Sequence, residues 1–325
     1  MLLNGKNVLI TGGAGFIGSH LARRLVGLGA QVTLIDSLIP EYGGNLHNFD
    51  DIARQVHLNI SDVRDPHSMK YLVQNIDLVF NLAGQTSHMD SMQDPFTDLE
   101  INSRAQLSIL EALRHHNPTA RVVFASTRQI YGRPDYLPVN EAHPLRPVDV
   151  NGINKIAGES YHILYQQVYG IPTCALRLTN TYGPGMRIRD ARQTFVGIWI
   201  RRLLEEEPFE VWGGEQLRDF NYVDDVVDAF LAAALNPNAC GRVFNLGSAE
   251  VVSLASLAKL LVEVNGKGHY QMHEFPAERK KIDIGDYYSD FTLINQELGW
   301  RPHVDLREGL TRTLDFFRSH GSHYL

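Results

Sequence analysis

The sequence predicts an α/β protein built on a doubly wound parallel sheet, with a smaller C-terminal region. Two observations lead there. In the first half, short apolar runs alternate with longer amphipathic ones, and from about Ile171 that alternation loosens into shorter elements. Strands covered on both faces read as unbroken apolar runs, and the helices between them supply the crossovers that parallel strands need.

Taken in order, Asn7-Val8-Leu9-Ile10 reads as the first strand, followed by a glycine-rich turn and a helix to about Leu28. Gln31–Asp36 is the second strand and Val56–Asn59 the third. Leu78–Leu82 and Val122–Ser126 are two more, with a long helical pattern from Pro95 to His116 between them. A second long helix is expected over Gly152–Gly170, a strand over Thr173–Leu178, and a helix over Asp225–Leu235 capped by Asp224. Residues 1–178 are expected to form the nucleotide-binding domain, with some later segments interleaved, and 179–325 mainly a substrate-binding region. No internal repeat or low-complexity tract appears.

The bulk numbers narrow the function classes. The chain has 325 residues, a formal net charge of −7 and 21% charged residues, an ordinary globular composition. The acidic balance argues against a nucleic-acid partner, which wants a basic surface. No stretch approaches a membrane span, and Met1–Lys6 carries no apolar signal segment. Two cysteines, Cys174 and Cys240, suit a reducing cytoplasm. The fourteen histidines are scattered and no Cys pair sits at ligand spacing, so no metal site is expected.

The segment Thr11-Gly12-Gly13-Ala14-Gly15-Phe16-Ile17-Gly18 places glycines at G-x-x-G-x-x-G spacing between a strand and a helix. Gly12 permits the tight turn, Gly15 lets the backbone approach a pyrophosphate, and Gly18 lets the helix pack close to the sheet. The helix start then offers free N–H groups to phosphate. A glycine triplet alone says little; the strand before it and the helix after it make this a Rossmann-type dinucleotide site. Asp36 ends the second strand, where a carboxylate accepts from ribose hydroxyls and repels a 2′-phosphate, so NAD is favoured over NADP. A loop aspartate is the alternative. Asp62 and Val63 follow the third strand and are candidates for the adenine edge; Asp62 equally suits a turn.

These residues, with Asn81-Leu82-Ala83-Gly84, Ser126–Gly132, Lys155, Asn180–Pro184, Arg218–Asp225 and Leu298–Pro302, resemble the extended short-chain dehydrogenase/reductases over nearly the whole chain. That family includes nucleotide-sugar 4-epimerases, 4,6-dehydratases, decarboxylases and reductases. The stretch from Leu82 to Pro95, then Glu100-Ile101-Asn102, looks most similar to the CDP-tyvelose 2-epimerase branch. The resemblance implies NAD, a nucleoside-diphosphate sugar, a cytoplasmic setting and a homodimer. The dimer would form through the helices 95–116 and 152–170, the first with its apolar Leu99, Leu107, Leu110 and Leu113. It also implies a hydride removed from a sugar carbon, usually C4, and later returned. Gly12, Gly15, Phe16, Ile17, Gly18, Asp36, Asp62, Val63, Leu82, Ala83, Gly84 and Lys155 would hold the cofactor.

The usual catalytic pair of the family is a tyrosine and a lysine four residues apart on one helix face, assisted by a Ser or Thr. Lys155 and Thr127 fit that pattern, but the residue four before Lys155 is Asn151. An asparagine carries no useful titratable proton. Asn154 and Arg128 depart from the small residues common at their positions. Three readings stay open: another acid/base (a nearby Tyr, His88 or water), a binding protein with little chemistry, or an engineered site. Thr127, Asn151 and Lys155 are the candidate catalytic residues.

For the substrate, Gln85, Thr127, Arg128, Asn180, Arg187, Arg218 and Arg279 are the candidates, the arginines as a clamp for a diphosphate. Any one of them alone equally suits a solvated surface charge. Asp219 and Asp224 are expected to fix Arg218 and cap a helix rather than touch substrate.

Overall fold

The computed structural model describes residues 3–190, 192, 194–275 and 283–325. Strand β1 (Asn7–Thr11) leads through the glycine turn into α1 (Phe16–Gly27), and β2 (Gln31–Asp36) returns beside it. There follow β3 (Val56–Ile60), α2 (Pro66–Leu72), β4 (Leu78–Asn81), α3 (His88–Gln93) and α4 (Pro95–Leu99). A π-helical turn, Glu100–Arg104, joins α4 to α5 (Ala105–His116). The single helix expected over 95–116 is therefore continuous but locally widened, a feature that recurs at functional sites. Next come β5 (Arg121–Thr127), α6 (Val150–Tyr169) and β6 (Thr173–Leu178).

The second half contains β7 (Asn180–Tyr182), α7 (Phe195–Leu204), β8 (Phe209–Trp212), β9 (Leu217–Tyr222), α8 (Val223–Leu235) and β10 (Val243–Asn245). It ends with β11 (Val251–Ser253), α9 (Leu254–Asn265), β12 (Tyr270–His273), α10 (Thr292–Leu298) and α11 (Leu306–His320). Seven strands form one sheet in the order β10-β6-β5-β4-β1-β2-β3, with every pairing parallel. Smaller sheets join β11-β9-β7 and β12-β8.

The sheet is covered on both faces, as its apolar strands require. Leu21, Val226 and Phe230 pack on one face. Ile109, Leu110, Leu113 and Tyr165 pack on the other. Leu110 and Leu113 are thus core residues and leave the free face of α4–α5, where they were expected. Leu99 stays exposed, with Phe96 beside it on α4 and Ile153, Leu164 and Val168 on α6. A separate core around Trp199, Phe209, Leu257 and Leu310 sits under the C-terminal helices. Among the described residues no helix is long and apolar enough to cross a membrane.

Strand order reverses between β1 and β4. The loops after those two strands part there and leave a crevice at their carboxyl ends, the place where doubly wound sheets bind ligands. Helix α8 begins at Val223, with Asp224 and Asp225 inside its first turn and no side-chain cap. The expected cap by Asp224 is not made. Asp225 instead accepts from the backbone N–H of His303 and Val304, at 3.0 and 3.1 Å, and ties the last segment of the chain to α8.

Candidate active site

The crevice is lined from end to end by segments that leave the carboxyl edge of the sheet. Gly12, Gly15, Phe16, Ile17 and Gly18 come from the first turn. Asp36, Asp62 and Val63 follow β2 and β3, and Leu82, Ala83 and Gly84 follow β4. Thr127, Arg128, Asn151, Lys155 and Asn180 close the far end.

At the glycine turn the backbone leaves no room for side chains. Gly12 has φ +69°, and a Cβ there would lie 3.1 Å from Ala83 N. A Cβ on Gly18 would come within 2.3 Å of the Gly12 carbonyl oxygen. No side chain caps α1, whose first N–H groups are left to face a ligand. Asp36 accepts from Ala14 N at 3.1 Å and Leu38 N at 2.9 Å. Burial raises its carboxyl above the ordinary range, and those two bonds oppose the rise. Asp62 accepts from the backbone and guanidinium of Arg64, which holds its carboxyl below the ordinary range. Arg64 and Tyr42 also line this end.

The far end is organised by a carboxylate that the sequence reading passed over. Asp98 on α4 is fully buried and takes hydrogen bonds from three asparagine amides. Asn102 and Asn151 donate to its Oδ2, both at 3.0 Å, and Asn154 donates to Oδ1 at 2.8 Å. Asn151 also donates to the Gln85 carbonyl oxygen at 2.8 Å, and Asn102 to the same atom at 2.9 Å. The amide of Asn151 is therefore consumed in a buried network. A buried carboxylate without such donors costs several kcal/mol, so the three amides and Asp98 account for one another.

Lys155 lies one helical turn beyond Asn151. Its Nζ donates to the Ala125 carbonyl oxygen at 3.1 Å and sits 5.0 Å from the centroid of the Phe124 ring. Burial pushes its pKa down to about 8, against the pull of Asp98. A Cβ on Gly84 would lie 3.0 Å from this ammonium, so the glycine admits it to the crevice. Thr127, two residues past Ala125, accepts from Gln129 N at 3.3 Å.

His88, the first residue of α3, faces the same end. Its Nδ1 lies 2.9 Å from Oδ2 of the buried Asp149, without the alignment of a hydrogen bond. The other oxygen of Asp149 caps α6 by accepting from Gly152 N at 2.7 Å. The Gln129 amide meets His88 Nε2 from the crevice side.

Of the substrate-side arginines that are described, Arg128 and Arg218 are neighbours and Arg187 is held apart. Arg128 lines the crevice, and it donates to Asn180 Oδ1 at 3.0 Å. Arg187 and Arg218 are engaged elsewhere. Arg187 is held by Asp190 at 2.6 Å and by the Pro40 carbonyl oxygen. Arg218 is buried, bonded to the carbonyls of Leu217 and Gly285 and 3.7 Å from Asp283. Burial and the neighbouring Arg128 push its pKa down to about 10. Asp219, expected to fix Arg218, instead accepts from Thr179 Oγ1 and from Ser289 N at 3.0 Å. Gln85 is buried behind the crevice wall, and Arg279 lies outside the described residues.

Residues 8–247 match the NAD dependent epimerase/dehydratase family. The putative UDP-glucose 4-epimerase of Methanocaldococcus jannaschii is 32% identical over 96% of this chain and 98% of its own. The protein belongs to the NAD-dependent epimerase/dehydratase family. Among solved structures, the UDP-glucose 4-epimerase of Thermotoga maritima with UDP-glucose superposes with a TM-score of 0.87 at 31% identity, covering 96% of this chain and 99% of that one. The UDP-glucose 4-epimerase of Thermus thermophilus in complex with NAD gives 0.84 at 30% identity, covering 96% and 99%.

The residues of this family member fit NAD. Its glycine turn is a cradle that side chains would fill, α1 presents uncapped N–H groups, and the Asp36 carboxylate ends β2 at the crevice wall. Asp98, Asp149 and Gln129 are the functional candidates that motif reading missed. One signal was available. Asn151 and Asn154 at i,i+3, and Asp98 and Asn102 at i,i+4, put amide and carboxylate side chains on single helix faces.

Proposed function

We propose that the protein is an NAD-dependent epimerase/dehydratase-type enzyme that acts on a nucleoside-diphosphate sugar through transient hydride transfer, with His88 as its acid/base. One observation carries the choice of residue. Asn151, where the family's usual tyrosine is expected, is bound into the Asp98 network, while His88 stands at the same end of the crevice with a buried carboxylate behind it.

NAD, when bound, supplies the hydride acceptor, held by the glycine turn, Asp36 and Lys155. Thr127 orients the sugar hydroxyl through its Oγ1. As hydride leaves the carbon, the hydroxyl proton moves to His88 Nε2. Asp149, 2.9 Å from Nδ1, favours the tautomer with the proton there, so that the Nε2 lone pair, which accepts from the Gln129 amide at rest, takes the substrate proton once that amide turns aside. Gln129 donates to the neutral ring; a half-turn of its amide offers Oε1, which has no partner among the described residues, to the protonated ring. Return of the proton with the hydride closes the cycle.

The test is turnover. Incubation with UDP-, dTDP-, GDP- and CDP-sugars, followed by NMR, is expected to convert at least one of them. His88→Asn is expected to lower kcat by about 10²–10⁴-fold, the scale for a lost general base, with NAD affinity unchanged. No conversion of any sugar would favour a binding protein, and full activity in His88→Asn would move the proton elsewhere. The exposed apolar residues of α4 and α6 support a homodimer through those helices, since contiguous apolar patches on a surface mark interaction sites. Light scattering with Phe96→Asp is expected to read a dimer becoming monomer.

A further inference from the structure

Arg128 carries a charge that no described residue pairs at ion-pair range. Its Nη2 is bonded to Asn180 Oδ1, and Asn180 is itself fixed by donating to the Asp219 carbonyl oxygen at 2.9 Å. Its guanidinium carbon lies 5.1 Å from the centroid of the Tyr287 ring. Its Nη1 is buried and, among the described residues, has no hydrogen-bond partner. Among the described residues no carboxylate oxygen lies within 4.0 Å of it, while Arg187 and Arg218 each have one at that range. A structural arginine satisfies its donors, because burying a charge unpaired costs several kcal/mol. This one is oriented, desolvated and left with a donor to spend.

Its place says on what. Arg128 follows Thr127 directly in the chain, and Lys155 bonds to the carbonyl of Ala125, two residues before Thr127. Arg128 lines the crevice together with Thr127 and Lys155, with the Arg218 guanidinium as its neighbour on the side away from them. Asp36, Asp62 and Arg64 lie at the other end, after β2 and β3. A planar fork of N–H groups matches a carboxylate in geometry and charge.

We infer that Arg128 recognises a carboxylate on the sugar itself, so that the substrate is a nucleotide-linked uronate rather than a neutral hexose. This rests on the nucleotide-sugar reading above. A neutral sugar would offer Nη1 a hydroxyl but leave the charge unpaired. A uronate carries its carboxylate on the ring carbon next to C4, within reach of the residue that follows Thr127.

Calorimetry on the NAD-loaded protein with UDP, UDP-glucose, UDP-glucuronate and UDP-galacturonate tests it. The wild-type protein is expected to bind one of the uronates about tenfold or more tighter than UDP-glucose, the scale of one charge-assisted contact. Arg128→Met is expected to erase that preference while UDP itself binds within about twofold of wild type, and Arg128→Lys to retain part of it. A wild-type protein without a uronate preference overturns the inference, and that result needs no variant. So does an Arg128→Met protein that loses UDP, UDP-glucose and the uronates equally, which would place the arginine on the diphosphate. Failure of UDP and all three sugars to bind, together with dTDP-, GDP- and CDP-sugars, would remove the nucleotide-sugar reading and this inference with it. UDP binding without a uronate preference removes only the latter.

Discussion

At the glycine-turn end the crevice is shaped by one tight stretch of backbone, whereas at the Thr127 end it is lined by side chains whose positions are set by a buried polar network. The first end needs glycines, a helix start and one carboxylate, and each lies in a continuous stretch of sequence or at a strand end. The second end draws on α3, α4, α6 and the turn after β5, which are far apart in the chain and meet only in the fold. Asp98 shows the difference. Its role depends on α4 packing against α6, on the π-helical turn that follows it, and on amides at 102, 151 and 154. The comparison teaches that the cofactor half keeps a local pattern. The Thr127 end holds Asn102, Asn151 and Asn154 around Asp98 as a mutually satisfied set.

The strongest way to break that contrast is to remove the carboxylate at its centre. Asp98→Asn leaves at least one of the three amide groups facing another N–H₂ in a buried site. Unfolding in urea is expected to show a loss of about 2–4 kcal/mol. Unchanged stability would mean that the asparagines are held by something else. The cofactor end is expected to respond locally instead. Asp36→Asn removes a charge that repels a 2′-phosphate and should cut the preference for NAD over NADP by about tenfold with little effect on stability. Calorimetry with both cofactors would read it, and an unaltered preference would take Asp36 out of the ribose site.

A smaller effect comes from Lys155. Its pKa in the folded chain is pushed down to about 8 from 10.5. Between those values the unfolded chain holds a proton that the folded chain has released, so stability rises with pH across that window. Relative to Lys155→Met, the wild-type Tm is expected to gain roughly 2–4 °C from about pH 8 to about pH 10. A difference that stays flat with pH would show the ammonium to be better solvated than its surroundings imply.

The fold was legible in the sequence because its signals are local. The five strands read from apolar runs in the first half fall within a residue or so of β1 to β5, and the strand expected over Thr173–Leu178 is β6. What misled was partnership. Leu110 and Leu113 look like a free stripe beside Leu99, but the π-helical turn before α5 separates the two faces, and those leucines enter the core. Arg187 and Arg218 look like anion ligands because arginines cluster in that part of the sequence. Their own carboxylates and carbonyls, at Asp190 and Gly285, are loop groups that no spacing rule pairs with them. Arg128 is the one that stays in the crevice. Its lack of a counter-ion among the described residues is visible only once its neighbours have been placed.

The central claim is that Asn151 is structural and that the proton moves through His88. Asn151→Tyr tests it most directly, because it puts a tyrosine one helical turn before Lys155 on α6 in one step. The ring would have to displace the amide from Gln85 and Asp98. On a converted sugar, the variant is therefore expected to lose at least about tenfold in kcat and to melt at a lower temperature than wild type. Faster turnover in Asn151→Tyr than in wild type, still present when His88→Asn is added, would contradict the account.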